Sequence, residues 1–336
     1  MKIVLLHDAS ASDGRVDELD ALEQVEVVAS TLRRLGHETT TLGFGLDLES
    51  VRRELIEIDP DLVFNLVESV GGEGRLIHLA PALLDSLGIP YTGAPTEAMF
   101  LTSHKILAKR MLARSGERTP TWMDEDGRAG GEIAYPARFI VKSVWEDASL
   151  GLDDDTVVEV EGPDALRECI RSRKSSLGGE AFAEAWVEGR EFNLALLELE
   201  GRWACLPVPE MLFVDYPAGK PKLVGYRAKW DDASFEATHT MRSFDLDPRD
   251  RVLHRELEVL ARRVCRQFGL RGYARVDVRV DSQGRPWILE LNANPCLSLD
   301  AGYIAAAEQA GHDAPFVVDA IVRAASIPLS EPARRS

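Results

Sequence analysis

The sequence predicts an α/β layer followed by α+β units. Strand-like and helix-like patterns alternate through roughly the first hundred residues, and the remainder is richer in strands with few long helices. The length of 336 residues exceeds what one hydrophobic core usually organises, so two or three domains sharing clefts are expected.

Lys2 to Leu6 is a strand. Leu19, Leu22, Val25, Ala29, Leu32 and Leu35 recur at helical spacing, and Gly36 stops that helix. A strand from Glu38 to Leu42, a helix from Leu48 to Ile58, a buried strand from Leu62 to Leu66 and a helix from Arg75 to Leu87, closed by Gly88, complete the layer. Right-handed crossovers make its sheet parallel. A second unit begins near Phe100, with a basic helix from His104 to Ser115, a strand from Arg138 to Lys142, a loop of small and acidic residues from Glu146 to Asp155, and a helix from Asp164 to Ser175. From Ala183 strands dominate, apart from a long helix, Arg251 to Phe268, and a terminal helix. The divisions expected are 1–100, 101–183, 184–326 and a polar tail, 327–336.

An apolar share of 45% with 28% charged residues supplies a core and excludes a disordered chain. The net charge of −17 repels polyphosphate strands and offers no basic stripe, which argues against nucleic acid as a partner. It leaves room for a single nucleotide whose charge is neutralised locally. The apolar runs are too short to span a membrane, and Cys169, Cys205, Cys265 and Cys296 lack close Cys-x-x-Cys spacing. A cytoplasmic protein with reduced thiols is expected.

Two runs carry the most information, Tyr273 to Val280 and Pro286 to Asn292. Both alternate as half-buried strands, and Gln283-Gly284 fits a tight two-residue hairpin turn. That register sets Asp277 opposite Glu290 and Arg275 opposite Asn292, all on one face. Opposed carboxylates repel unless a cation lies between them, and Mg²⁺ takes hard oxygen ligands of this kind. The plainer reading is the solvated face of a hairpin.

The string ARVDVRVDSQGRPWILELNANP resembles the metal-binding hairpin of ATP-grasp enzymes, the D-alanine–D-alanine ligases in particular, and the similarity runs from the first strand to about Ala325. The resemblance implies an ATP-grasp fold, in which an N-terminal parallel α/β domain precedes two α+β subdomains that clasp ATP. It also implies that Asp277, Glu290 and Asn292 bind two Mg²⁺ ions, with Mn²⁺ as a substitute, and that Arg275 steadies the charge of a tetrahedral intermediate.

Further segments match the family by position. Lys142, ending an apolar strand, corresponds to a lysine that touches the nucleotide phosphates, and the loop after it, with Ser149, closes over them. That loop reads Asp147-Ala148-Ser149 where the family has Gly-Ser-Ser. Lys105 matches a second nucleotide lysine, although a lysine on a helix is usually solvated. In Glu184 to Phe192, Glu184 would accept from the adenine amino group, the backbone of Trp186 and Val187 would meet the base edge, and Glu191 would hold the ribose. Val224 to Trp230 resembles a substrate-covering loop in which Tyr226 packs near the acceptor and Lys229 binds a carboxylate.

The substrate segments depart from the family. Glu68 stands about where it has a histidine, and the acceptor loop Asn294 to Gly302 carries Asp300 and has Ala301 where a hydroxyl is expected. Cys296 retains a backbone N–H for an oxyanion. The amine-binding glutamate is either Glu18 or Glu23. The implied activity is ATP-dependent joining of an amino-acid carboxylate to an amine through an acyl phosphate, on small-molecule substrates, in a homodimer. The alternatives are a dipeptide or amino-acid ligase of specialised metabolism whose acceptor is not D-alanine, and an inactive nucleotide-binding protein. Retention of Arg275 speaks against the last.

Overall fold

The computed structural model describes residues 1–9, 16–146, 149, 151–245 and 247–326, leaving aside the side chains of 16–20. The first apolar run forms β1 (Lys2–Asp8), followed by α1 (Val16–Arg34), β2 (Glu38–Phe44), α2 (Leu48–Ile58) and β3 (Leu62–Asn65). β1 lies between β2 and β3 and is parallel to both. Val4, Leu6, Val63, Val51 and Leu55 fill one face of this sheet, whereas Ile3, Leu5 and Phe64 face the other way, toward α1.

The helix predicted from Arg75 is shorter. A 3₁₀ turn, Gly74–Leu76, precedes α3 (Leu79–Leu87). Pro81 lacks an N–H and is tolerated only in a helix's first turn, which fixes the start near Leu79. Gly88 closes the helix at φ +66°, as expected. The sequence reading missed α4 (Thr96–Ser103), a short helix with no apolar stripe, which runs into α5 (Lys105–Arg114).

An antiparallel sheet of order β4-β7-β5-β6 follows, built from β4 (Trp122–Asp124), β5 (Ala137–Ser143), β6 (Val157–Val160) and β7 (Ala181–Ala185), with α6 (Pro163–Arg173) against it. β7 therefore runs across the expected division at 183/184. The last unit contains β8 (Arg190–Leu199), β9 (Arg202–Cys205), β10 (Glu210–Phe213), α7 (Tyr226–Trp230), α8 (Phe235–His239), β11 (Thr240–Ser243), α9 (Arg251–Gln267), β12 (Tyr273–Val280), β13 (Pro286–Asn292), α10 (Gly302–Gln309) and α11 (Ala314–Ala325). Its sheet runs β11-β10-β8-β12-β13, and β9 pairs with β8.

Side-chain alternation in this sheet places the site. Leu194, Leu196, Ala274, Val276 and Val278 point to one face, where α4, α5 and α9 cover them. On the other face Tyr273, Ala195 and Leu197 are buried under α10, α11 and the N-terminal sheet. Farther along the same two strands this second face turns polar, with Arg275, Asp277 and Arg279 on β12 beside Asn193 and Glu191 on β8.

Candidate active site

The hairpin register places Asp277 opposite Glu290 and Arg275 opposite Asn292, as the sequence predicts. The turn is different. The Asp281 N–H donates to the Arg285 carbonyl, so the loop is the three residues 282–284, with Gly284 at φ +76°. The longer turn shifts the register by one residue, and a β-bulge opposite Asp277/Val278 restores it. Ile288 and Leu291 both lie in the apolar core although they are three apart. Regular alternation from Ile288 would bury Glu290 in that core; the extra residue, Leu289, turns Glu290 to the polar face.

Arg275 forks across Asp277, with Nε–Oδ1 2.8 Å and Nη2–Oδ2 2.9 Å, and Asn193 donates to the same Oδ1 at 2.9 Å. The Asn292 amide oxygen accepts the Asn294 N–H at 2.8 Å, which fixes its orientation. Burial works against the charge of Glu290, but Lys105, Lys142, Arg275 and Lys229 outweigh it and hold its carboxyl well below the usual range. Four cations around one carboxylate, in a chain of net charge −17, form a local environment suited to phosphate. Two carboxylates and an amide oxygen on one polar face are hard donors of the kind Mg²⁺ takes, so the residues present fit that ion.

Lys105 is 6% exposed, not solvated as a helix-surface lysine would be. Its Nζ donates to the Glu146 carbonyl at 2.8 Å. Lys142, 9% exposed, pairs with Glu184 Oε1 at 2.5 Å, while Lys109 takes Glu184 Oε2 at 2.5 Å. Both oxygens of the buried Glu184 thus lie in ion-pair range of an ammonium group, contacts the sequence reading did not include. Desolvation opposes its charge, but the two lysines prevail and hold its carboxyl below the usual range.

The Trp186 N–H is also committed, donating to the Arg138 carbonyl at 2.9 Å. β7 thereby continues its pairing with β5 through this residue. The Val187 N–H has no partner among the described residues. Arg279, 3% exposed, donates to Glu191 Oε2 at 2.9 and 3.1 Å and to the Val187 carbonyl at 2.9 Å, and it also donates to the Lys222 carbonyl. Its guanidinium lies 4.2 Å from the centre of the Trp186 ring.

The loop around Ser149 and the segment from Val224 to Trp230 are joined. Ser149, at φ +61°, donates its hydroxyl to the Val224 carbonyl at 3.0 Å, and the Tyr226 N–H donates to the Leu152 carbonyl at 2.8 Å. Asp147 and Ala148, the departures from the family loop, lie outside the described residues, as does the side chain of Glu18. Lys229, on α7, is exposed to solvent. Desolvation and the like charge of Arg275 push its ammonium down from the ordinary range, against the pull of Asp277, Glu290 and Glu191.

In the substrate region Glu23 is exposed on α1, and its neighbour Gln24 is the buried residue. Gln24 donates to Glu68 Oε1 at 3.3 Å and accepts the Leu297 N–H at 2.6 Å, bridging the N-terminal unit to the acceptor loop. The Cys296 thiol is turned toward Ser298 Oγ, 3.1 Å away. Asp300 is exposed at the loop's end, and its charge supports that of Arg242, whose guanidinium lies over Gly302. Ala301 precedes α10 and provides no side-chain cap.

Sequence reasoning missed Lys109, Asn193, Arg279, Gln24 and Arg242. Arg279 was the most accessible of these, since it shares the period of two with Arg275 and Asp277. A separate groove of about 510 Å³, lined in part by Val252, Val259 and Arg263, lies outside this polar face and holds none of these groups.

Residues 118–323 match the family model described as D-ala D-ala ligase C-terminus. The D-alanine–D-alanine ligase of Halorhodospira halophila is 34% identical over 75% of each chain, and that of Aquifex aeolicus 28% identical over 96% of this chain and 100% of the relative. An uncharacterised protein, y4sG, of Sinorhizobium fredii is 32% identical over 88% of this chain and 85% of its own. The crystal structure of the Bacillus anthracis D-alanine–D-alanine ligase complexed with ATP superposes with a TM-score of 0.70 at 18% identity, covering 97% of both chains. D-alanyl-alanine synthetase A of Vibrio cholerae gives 0.72 at 16%, covering 97% of this chain and 99% of that one. With most of its length inside that family model, and with relatives of this kind along nearly the whole chain, the protein belongs to the D-alanine–D-alanine ligase family and is an ATP-dependent carbon–nitrogen ligase of the ATP-grasp fold.

Proposed function

We propose that the cleft binds ATP with two Mg²⁺ ions and two small amino acids, and joins the carboxylate of one to the amine of the other. The observation that carries this reading is the convergence on one sheet face of Arg275, Asp277 and Glu290 with the ammonium groups of Lys105, Lys142 and Lys229.

A donor carboxylate oxygen attacks the γ-phosphorus, ADP leaves, and an acyl phosphate forms. The acceptor nitrogen then attacks the acyl carbon and loses a proton, and the C–O bond to phosphate breaks to leave the amide. Such transfers need alignment and charge neutralisation more than a protein nucleophile. Bound Mg²⁺ would supply neutralisation at the phosphates, held by Asp277, Glu290 and Asn292. Lys142 and Lys105 face the phosphate charge, and Arg275 is placed to meet the oxyanion. Lys229 meets a substrate carboxylate. Glu191 and the Val187 N–H serve ribose and base edge.

Mixing the protein with ATP, Mg²⁺ and pairs drawn from a panel of D- and L-amino acids tests this. Amino-acid-dependent ADP release with a product of matching dipeptide mass is expected; ADP release no faster than the amino-acid-free blank, for every pair, would overturn it. A second reading, an acceptor other than D-alanine, is favoured by Ala301, which cannot offer a hydroxyl to a free carboxylate. A hydrogen bond to a charged group contributes about 1.5–3 kcal/mol. The Arg242 charge near Asp300 removes part of the repulsion that would otherwise add to this effect. A kcat/KM for D-alanine tenfold above every other acceptor would exclude the second reading.

A further inference from the structure

Lys109, on α5, is 1% exposed, yet its ammonium touches three different segments. Nζ is 2.5 Å from Glu184 Oε2, 3.0 Å from Thr119 Oγ1 and 3.3 Å from the Leu289 carbonyl. Leu289 is the extra residue of the β13 bulge, so Lys109 holds the feature that turns Glu290 out of the apolar core. Thr119 braces the same place, donating to the Ile288 carbonyl at 2.9 Å, while the Ile288 N–H donates to the Arg118 carbonyl at 2.9 Å. On its other side Lys109 shares Glu184 with Lys142, the phosphate-side lysine.

A lysine shut away from solvent is costly unless every donor is used. Glu184 alone would be satisfied by Lys142, and a leucine or methionine at 109 would fill the space at lower desolvation cost. What an apolar side chain cannot do is hold a carboxylate and a bulged carbonyl at once.

We propose that Lys109 is a positioning residue that locks the phosphate-side Lys142 and the metal-side Glu290 into one unit, a reading that rests on the cleft being a Mg–ATP site. Through Glu184 it fixes where the Lys142 ammonium stands, and through Leu289 it fixes the face on which Glu290 emerges. Groups that orient metal ligands from behind typically change metal affinity or activity by about 10–100-fold when removed.

The test is Mn²⁺ binding, followed by electron paramagnetic resonance, in the presence of a non-hydrolysable ATP analogue, for the full-length wild type and Lys109→Met. Thermal melts run alongside establish that the variant is folded. The expected result is Mn²⁺ affinity lower by about 10–100-fold in Lys109→Met, with adenosine affinity, measured calorimetrically, unchanged within twofold. Unchanged Mn²⁺ affinity in folded Lys109→Met overturns the proposal. Should that variant lose its cooperative melt, Thr119→Val decides, because it removes a brace of the bulge and leaves the Lys109–Glu184 pair; a threefold or greater loss of Mn²⁺ affinity supports the proposal and a smaller one overturns it. Absence of Mn²⁺–nucleotide binding in the wild type would remove the underlying reading and the proposal together.

Discussion

Arg275 lies across both carboxylate oxygens of Asp277, at 2.8 and 2.9 Å, while Glu290 stands opposite Asp277 on the next strand. The guanidinium thus balances the charge of Asp277 beside the carboxylate that faces it. Asp277→Asn and Glu290→Gln are each expected to lower amino-acid-dependent ADP release by more than about 100-fold, since even groups behind the ligands change such sites by 10–100-fold. Steady-state turnover across a Mg²⁺ titration measures it; wild-type rates at limiting Mg²⁺ in both variants would remove the metal assignment.

On the proposed placement of the Lys142 ammonium against phosphate and not the base, Lys142→Met should weaken ATP binding by about tenfold or more and leave adenosine binding nearly intact. Isothermal calorimetry with the two ligands separates these outcomes. Equal losses for both would place Lys142 outside the phosphate site.

Arg279→Leu strands Glu191 as a buried carboxylate without its ion-pair partner. A loss of about 3–5 kcal/mol in folding free energy is expected, as for other broken buried pairs, with partial recovery in the double variant Arg279→Leu/Glu191→Leu. Urea denaturation of the set measures it. A double variant less stable than Arg279→Leu would contradict the account.

At the hairpin turn, Asp281 accepts the N–H groups of Gln283 and Arg285, the Arg285 side chain and the Trp287 indole. Burial works against its charge, but these bonds outweigh it and hold the carboxyl below the usual range. A carboxyl depressed in the folded state contributes stability above its unfolded value of about 3.9, and that contribution is lost as pH falls toward the folded value. The stability gap between wild type and Asp281→Asn should therefore be full near pH 6 and shrink progressively below pH 4. A gap independent of pH would show that Asp281 acts without its charge.

Much of this was legible in the sequence because alternation and glycine placement are local signals. The β1, α2 and β5 segments, and the facing pair of Asp277 and Glu290, follow from such patterns. The facing pair emerged although the turn was misjudged: a three-residue loop displaces the register by one, and the bulge at Leu289 displaces it back. No local pattern marks that compensation, because Lys109, Thr119 and Leu289 meet only in the folded chain. The pairing of Glu184 was missed for the same reason. Its two lysines stand on α5 and β5, distant in sequence and invisible to periodicity. Gln24 was overlooked beside two glutamates since charge draws attention that burial does not.

The bonds from Ser149 to Val224 and from Tyr226 to Leu152 tie the segment around Ser149 to the segment that leads into α7. Neither can lift without the other giving up a hydrogen bond. The two segments, some seventy-five residues apart in sequence, are thereby anchored as one piece, and a substitution that removes either bond loosens the hold of both.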